Sequence, residues 1–354
     1  MNNVYISAYG LTKFRRSDDS IYLLAFEAIR DLIHSFNIDK DSIDGIIVST
    51  TSAEPYIANI LADMLSIKPK ISYKHEQLCS SGTSAISSAY AHIKAGLCNN
   101  ILLIGVDKYD TIGKRLDWDI YRGEFKEPIY WAALYAKAHM KSFNTTKEQL
   151  ALITVKNRKN ALNNSYAYFQ KHVDINDVLN SKTIVEPIKL LECSYVCDGA
   201  AALLLTNKES NVKISSIGTY SIGASVSSIR DLRGIESTYM AARLAYDNAN
   251  INANKIEVAE IHDAFTICEL LAYEDLGFVE KGKGGRFVED IIDNKTNVMI
   301  NPRGGILGTG HPIGATGVAQ IIGVLNAIEE NKYGLVHNMS AAGTTSNVII
   351  MERI

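Results

Sequence analysis

Short apolar runs recur along the chain between amphipathic segments. "DGIIVST", "NILLIGVD", "AALLLTN", "EVAEIHD", "YGLVHNM" and "NVIIMERI" read as strands, whereas "IYLLAFEAIRDLIHSF" and "GVAQIIGVLNAIEENK" carry apolar positions at helical spacing. The alternation predicts an α/β protein with parallel or mixed sheets. Laid over itself, the chain also repeats. "NIDKDSIDGIIVST" from 37 matches "NINANKIEVAEIHD" from 250 without a gap, a displacement of 213, and "CSSGTSAISSAYAHIKAGLCNNILLIGVD" from 79 matches "HPIGATGVAQIIGVLNAIEENKYGLVHNM" from 311, a displacement of 232. Identities are few, yet the order and the element types agree, so the pattern predicts two copies of one α/β unit. The expected division is 1–210 and 211–354, with the unmatched stretch of about 108–190 inserted in the first copy.

The second displacement makes Cys79 and His311 equivalent, each just before the buried helix of its copy, and the first places His262 at the end of a strand. Two copies packed about a pseudo-twofold axis would bring these three together, since loops gather at strand ends in such folds. For Cys79, two readings stand: an inert buried thiol, or a nucleophile activated by a helix N-terminus, with Ser81 or Thr83 as cap. Asp263 is the expected cap of the helix after His262. "NPRGGILGTGHPIGATG" holds six glycines in 17 residues, which implies special backbone conformations and close approach. It fits neither phosphate-binding fingerprint.

Composition narrows the class. The 354 residues are 47% hydrophobic and 21% charged with a net charge of −3, as in a soluble globular protein without nucleic acid as its main partner. No apolar run suggests a membrane span, and no signal peptide is evident, so a cytoplasmic protein is expected. Five scattered cysteines fit free thiols in a reducing compartment, with Cys193 and Cys197 read as packing.

Cys79 in "CSSGTSA", His262 in "HDAF", His311 in "GGILGTGHPIGATG" and the strand "CDGAAALLL" resemble the sequence blocks of the thiolases, most closely the sterol-carrier-type and archaeal branch. The resemblance covers nearly the whole chain. It implies a five-layered αβαβα fold of two similar halves with an inserted loop domain, and an acetyl-CoA C-acetyltransferase at the head of isoprenoid (mevalonate) synthesis. Coenzyme A thioesters would be substrates, with no tightly bound cofactor and no metal. Cys79 would carry the acyl group, His311 would activate the thiol, and His262 would help hold the thioester oxygen. Main-chain N–H groups near Cys79 and Gly343 would hold the tetrahedral intermediate. The family's second catalytic cysteine is missing: Ala264 stands in "HDAF" and the terminal block reads "HNMSAAG". His337 or His311 is expected to replace it, with Cys268 a poorer candidate.

The resemblance further implies a homodimer or tetramer, and a complex with hydroxymethylglutaryl-CoA synthase bridged by a small zinc-ribbon/OB-fold protein. Alternatives are a ketoacyl synthase III-like or hydroxymethylglutaryl-CoA synthase-like condensing enzyme, and a weakly catalytic acyl-CoA-binding subunit. The insertion is read as a cap on one face of the site, structural or substrate-binding. No motif assigns the residues that contact coenzyme A; Lys281, Lys283 and Arg286 read as a solvated turn.

Overall fold

The computed structural model describes residues 2–109, 123, 125 and 127–354. Five strands come from each half of the chain. The first half gives β1 (Tyr5–Leu11), β2 (Gly45–Ser49), β3 (Ile71–His75), β4 (Asn100–Asp107) and β7 (Gly199–Thr206); the second gives β8 (Val212–Ser221), β9 (Ile256–Glu260), β10 (Met299–Ile300), β11 (Tyr333–Ser340) and β12 (Thr345–Arg353). They lie in the order β10-β9-β11-β12-β8-β1-β7-β4-β2-β3, which reads the same from either end once the halves are exchanged. Directions repeat too. In each half the inner pairs are antiparallel and the outer pairs parallel, as in β4–β7 and β2–β4 against β11–β12 and β9–β11. Only Tyr5 and Ile6 of β1 pair across the middle with β8.

Helices fill three layers around the two halves of this ten-stranded sheet. α1 (Ile21–Phe36) and α2 (Ile57–Leu65) cover the outside of the first through Leu24, Ala28, Leu32, Ile57 and Leu61. α7 (Glu236–Ala249) and α8 (Thr266–Asp275) cover the outside of the second. Between the two halves of the sheet lie α3 (Ser81–Lys94) and α11 (Ile313–Ala327), whose apolar side chains share one core with strands of both halves. The two central helices cross where neither has a side chain to spare. A Cβ on Gly317 would lie 2.7 Å from Thr83 N, and one on Gly82 would lie 2.9 Å from Val318 N. Small residues at these helix starts therefore serve contact between the halves.

The inserted segment includes α4 (Pro128–Phe143), α5 (Lys147–Ala161), α6 (Ile175–Asn180) and the short hairpin of β5 (Thr183–Val185) and β6 (Ile188–Lys189). α5 opens on a capping box formed by Thr146 and Gln149. Part of the stretch expected to cap the site, 110–122 together with 124 and 126, lies outside the described residues. From Glu127 onward the segment packs on the second half, Trp131 edge-on to Phe265 and the Tyr135 hydroxyl donating to Ala342 O. Among the described residues no helix is long and apolar enough to cross a membrane.

Candidate active site

Cys79 sits in a sharp turn, Leu78–Ser80, that joins β3 to the start of α3. Leu78 holds a left-handed φ of 47°, a conformation that costs a non-glycine residue on the order of 1–3 kcal/mol. The surrounding bonds make the turn rigid. Ser81 Oγ donates to Leu78 O and accepts from Gln77 N, while Ser80 N donates 2.9 Å to Ser340 Oγ at the end of β11. Ser81 or Thr83 was expected as the helix cap; instead both hydroxyls donate to carbonyls, and Ser80, at the cap position of α3, makes no side-chain cap bond.

His311 follows a five-residue helix, α10 (Gly305–Thr309), and precedes α11. Asp263, expected as a cap for α8, reaches α10 instead: its carboxylate accepts the N–H groups of Ile306 and Leu307 at 2.6 and 3.0 Å. Asn157 of α5 donates to that same carboxylate and to Glu269, which also pairs with Lys156 at 2.8 Å. Burial and Glu269 push the Asp263 carboxyl up to about 8. This buried network fixes the glycine-rich loop, where Gly304 and Gly305 take φ values of 109° and 56°.

The three expected residues meet. Cys79 Sγ and one ring nitrogen each of His262 and His311 lie within 4.8 Å of one another, and the two imidazole centroids are 5.5 Å apart at 73°. Among the described residues this trio of one cysteine and two histidines is the one cluster of metal-ligating side chains compact enough to hold a metal ion. All three line a cavity of about 320 Å³ whose wall is otherwise mainly apolar, including Leu78, Trp131, Leu190, Val196, Phe265 and Ile313. The insertion contributes Glu127, Pro128, Ile129, Trp131, Ile184 and Leu190 to that wall. Trp131 Nε1 is buried without a hydrogen-bond partner.

Burial decides the resting charges. It pushes the Cys79 thiol up to about 12, with Asp107 adding to the effect, and it lowers His311 to about 3. Burial, then His311 and His337, hold His262 well below the ordinary imidazole value. Of the two readings of Cys79, the one in which the helix start favours a thiolate is opposed here by desolvation of the charged form. At neutral pH the site therefore holds a thiol and two neutral imidazoles.

A neutral imidazole has one donor and one acceptor nitrogen, so its partners assign them. Thr316 Oγ1 donates to Pro312 O at 3.0 Å and lies 2.7 Å from His311 Nδ1, which must then carry the proton it donates. His311 Nε2 is left as a buried lone pair with no partner in the fold, on a ring that lines the cavity shared with Cys79. That is the arrangement of a general base beside a nucleophile.

His337 and Gly343 are not brought into this cluster. His337 alternates to the far face of β11, where its Nε2 lies 3.0 Å from Thr238 Oγ1 of α7. Gly343 N donates 3.0 Å to Ser340 O, closing a turn, and it is Ala341 of that turn that lines the cavity. Cys268 is fully buried in α8 and does not line the cavity. Cys197 packs in the core, but Cys193, read from sequence as packing, lines the cavity, its thiol donating to Lys189 O at 3.3 Å. The segment around it clamps both histidine blocks: Ser194 N donates to Ala264 O, and Tyr195 O accepts from His311 N, each at 2.8 Å. Sequence reasoning also missed Thr316 and Asn338; Asn338 Nδ2 lies 3.0 Å from His262 Nδ1. Their position one and a half turns after His311 and beside His337 carried no distinguishing pattern. The expected solvated turn is held by ion pairs, Lys281 with Asp275 and Glu274, and Arg286 with Glu289 and Asp290.

Residues 4–209 match the family described as "Thiolase, N-terminal domain", and residues 218–353 match "Thiolase C-terminal domain-like". The chain is 32% identical to an "Acetyl-CoA acetyltransferase" of Methanothermobacter thermautotrophicus, with all of both chains aligned. It is also 32% identical to the "Benzoylsuccinyl-CoA thiolase subunit BbsB" of Thauera aromatica, over 90% of this chain and 87% of that one. Among solved structures, the "Ltp2-ChsH2(DUF35) aldolase" superposes with a TM-score of 0.86 at 21% identity, covering 99% of this chain and 98% of the other.

Proposed function

The chain belongs to the thiolase family, and from that premise we propose that it is an acetyl-CoA C-acetyltransferase, forming or cleaving acetoacetyl-CoA through an acyl group on Cys79. The observation that carries this reading is the meeting of one thiol, one free imidazole base and a second imidazole around a single cavity. His311 Nε2 takes the Cys79 proton as sulfur attacks the thioester carbon of acetyl-CoA. The same proton passes to the departing coenzyme A thiolate, leaving acetyl-Cys79. A second acetyl-CoA then places its thioester oxygen against His262, which lowers the cost of removing an α-proton. His311 Nε2, free again, accepts that proton; the carbanion attacks the acetyl carbonyl, and the Cys79 sulfur leaves and is reprotonated.

One base thus serves both halves of the reaction. This assigns the role of the missing second cysteine to His311 rather than to His337, which faces Thr238 on the other side of its strand. The coenzyme A thioester is a substrate in this scheme and no resident cofactor takes part.

The product would feed isoprenoid synthesis, and the active form would be a homodimer or tetramer in the cytoplasm. Its proposed partners are a hydroxymethylglutaryl-CoA synthase and a small zinc-ribbon/OB-fold protein. The likeness to a chain solved as an aldolase with a DUF35 partner supports the idea of an assembly. Gel filtration of the co-expressed proteins tests it, and separate elution would remove it. A second reading, thiolysis of a bulkier acyl-CoA, is favoured by the apolar cavity of about 320 Å³ and by the benzoylsuccinyl-CoA thiolase subunit among the relatives.

Kinetics separate the readings. Acetoacetyl-CoA cleavage by added coenzyme A, measured beside a longer and an aromatic 3-oxoacyl-CoA, should be fastest with acetoacetyl-CoA. Preference for the aromatic substrate selects the second reading, and absence of any thiolysis rejects both.

A further inference from the structure

Two imidazoles flank one sulfur, and their residue type does not say which accepts a proton and which donates one. The side chains behind them do. Thr316 and Gln320 stand four residues apart on one face of α11, a single turn. Thr316 governs His311, as described above. Gln320 governs His262 through Asn338. Gln320 Nε2 donates to His337 O at 3.3 Å, which turns its Oε1 toward Asn338, and Asn338 Nδ2 donates to that oxygen at 2.6 Å. The second hydrogen of the same amide points at His262 Nδ1, 3.0 Å away. The reverse amide orientation would set Asn338 Oδ1 against Gln320 Oε1, oxygen to oxygen. The observed one instead leaves Asn338 Oδ1 buried without a partner, a cost accepted to keep the amide hydrogens where they are. All of these groups are buried.

We propose that Asn338, oriented by Gln320, is a positioning residue that locks His262 in the tautomer with the proton on Nε2, so that the two site histidines are held in opposite tautomers. An amide N–H cannot face another N–H, so Nδ1 must accept and Nε2 must carry the hydrogen. His262 then presents a fixed donor to a thioester oxygen and cannot compete with His311 as a base. It also cannot lend an Nε2 lone pair to a metal, although its ring nitrogen lies within 4.8 Å of the Cys79 and His311 donor atoms. The catalytic consequence rests on the thiolase reading; the tautomer does not.

The test is the pattern of ¹⁵N histidine resonances in the full-length protein, with His262 assigned by its loss in His262→Asn. The expected result at neutral pH is a pyridine-like Nδ1 and a pyrrole-like Nε2, and the reverse pattern overturns the proposal. Asn338→Asp replaces the donor by an acceptor. In a serine-protease triad the opposite exchange, Asp to Asn, selects the wrong tautomer and costs about 10⁴ in turnover. Here, at pH 9, the pattern at His262 should invert. Exchange of acetyl-CoA α-protons with deuterated water should fall by about 10², the loss typical of one oxyanion donor, while acetylation of Cys79 persists.

Lowering the pH should restore the exchange, because the new carboxylate favours an imidazolium with both nitrogens protonated; Cys79 and His311 are the other titratable groups beside this ring, and His337, on the far face of β11, also disfavours its charge. A folded variant that keeps the original pattern overturns the lock. If the carboxylate prevents folding, Asn338→Ala carries the test, with a mixed tautomer population expected and an unchanged one decisive against. Failure of Cys79 to acylate at all would sink the thiolase reading and leave the resonance result standing.

Discussion

The starts of α3 and α11 occupy equivalent places in the two halves and are anchored reciprocally, each by the strand end of the other half. Ser340, ending β11, accepts from Ser80 N before α3; Asp107, ending β4, accepts from Gly314 N in the first turn of α11. The chemistry differs at each end. The α3 side exposes a thiol on a strained turn and is tied by a hydroxyl. The α11 side presents an imidazole and is tied by a buried carboxylate that also accepts from Thr50 and Thr51. Duplication supplies the placement, and single-residue differences between the copies supply the reaction.

The sharpest break in that comparison removes its two tips. Cys79→Ala should abolish acyl transfer while circular dichroism and thermal unfolding stay close to those of the parent, because the thiol is a wall residue and not a core one. His311→Ala should retain some acylation, slowed by roughly 10²–10⁴ as for other lost general bases, with the deficit read in pre-steady-state acylation. Equal losses in both variants, with His311→Ala as dead as Cys79→Ala, would say that the imidazole does more than move a proton.

Next come the anchors. Asp107→Asn places an amide donor among groups that already donate, and should lower stability by about 1–3 kcal/mol in urea unfolding. Since Asp107 is also one of the groups holding the Cys79 thiol up, a folded variant should be alkylated faster at a given pH. In the parent, with the thiol pushed up to about 12, alkylation by iodoacetamide should climb with pH throughout the alkaline range. A plateau near pH 7 would instead show a preformed thiolate. The smallest effect is expected at His337→Gln, on the far face of β11: a change in thermal stability with little change in thiolysis.

Much of this was legible in the sequence because it is periodic or repeated. The displacement of 232 lands α3 on α11 and β4 on β11, so the pairing of Cys79 with His311 could be argued before any coordinates. His337 and Gly343 show where such reasoning stops. Side chains along a strand alternate between its two faces, and which face of β11 meets the site depends on the sheet's packing between α7 and α11. Gly343 sits two residues past the wall residue Ala341, with its N–H spent on closing the turn. Lys156 and Asn157 of α5 meet Asp263, more than a hundred residues away, and Glu269 of α8 only in the folded core. Cys193 read as ordinary packing because nothing local says that a single antiparallel bridge sets it against Phe265.

The central claim is that Cys79 carries the acyl group, and peptide mapping by mass spectrometry after brief incubation with acetyl-CoA tests it most directly. The account predicts one acetyl group, on the peptide containing Cys79, lost on later addition of coenzyme A. An unmodified Cys79, or acetyl found on Cys193 in the same cavity, would contradict it.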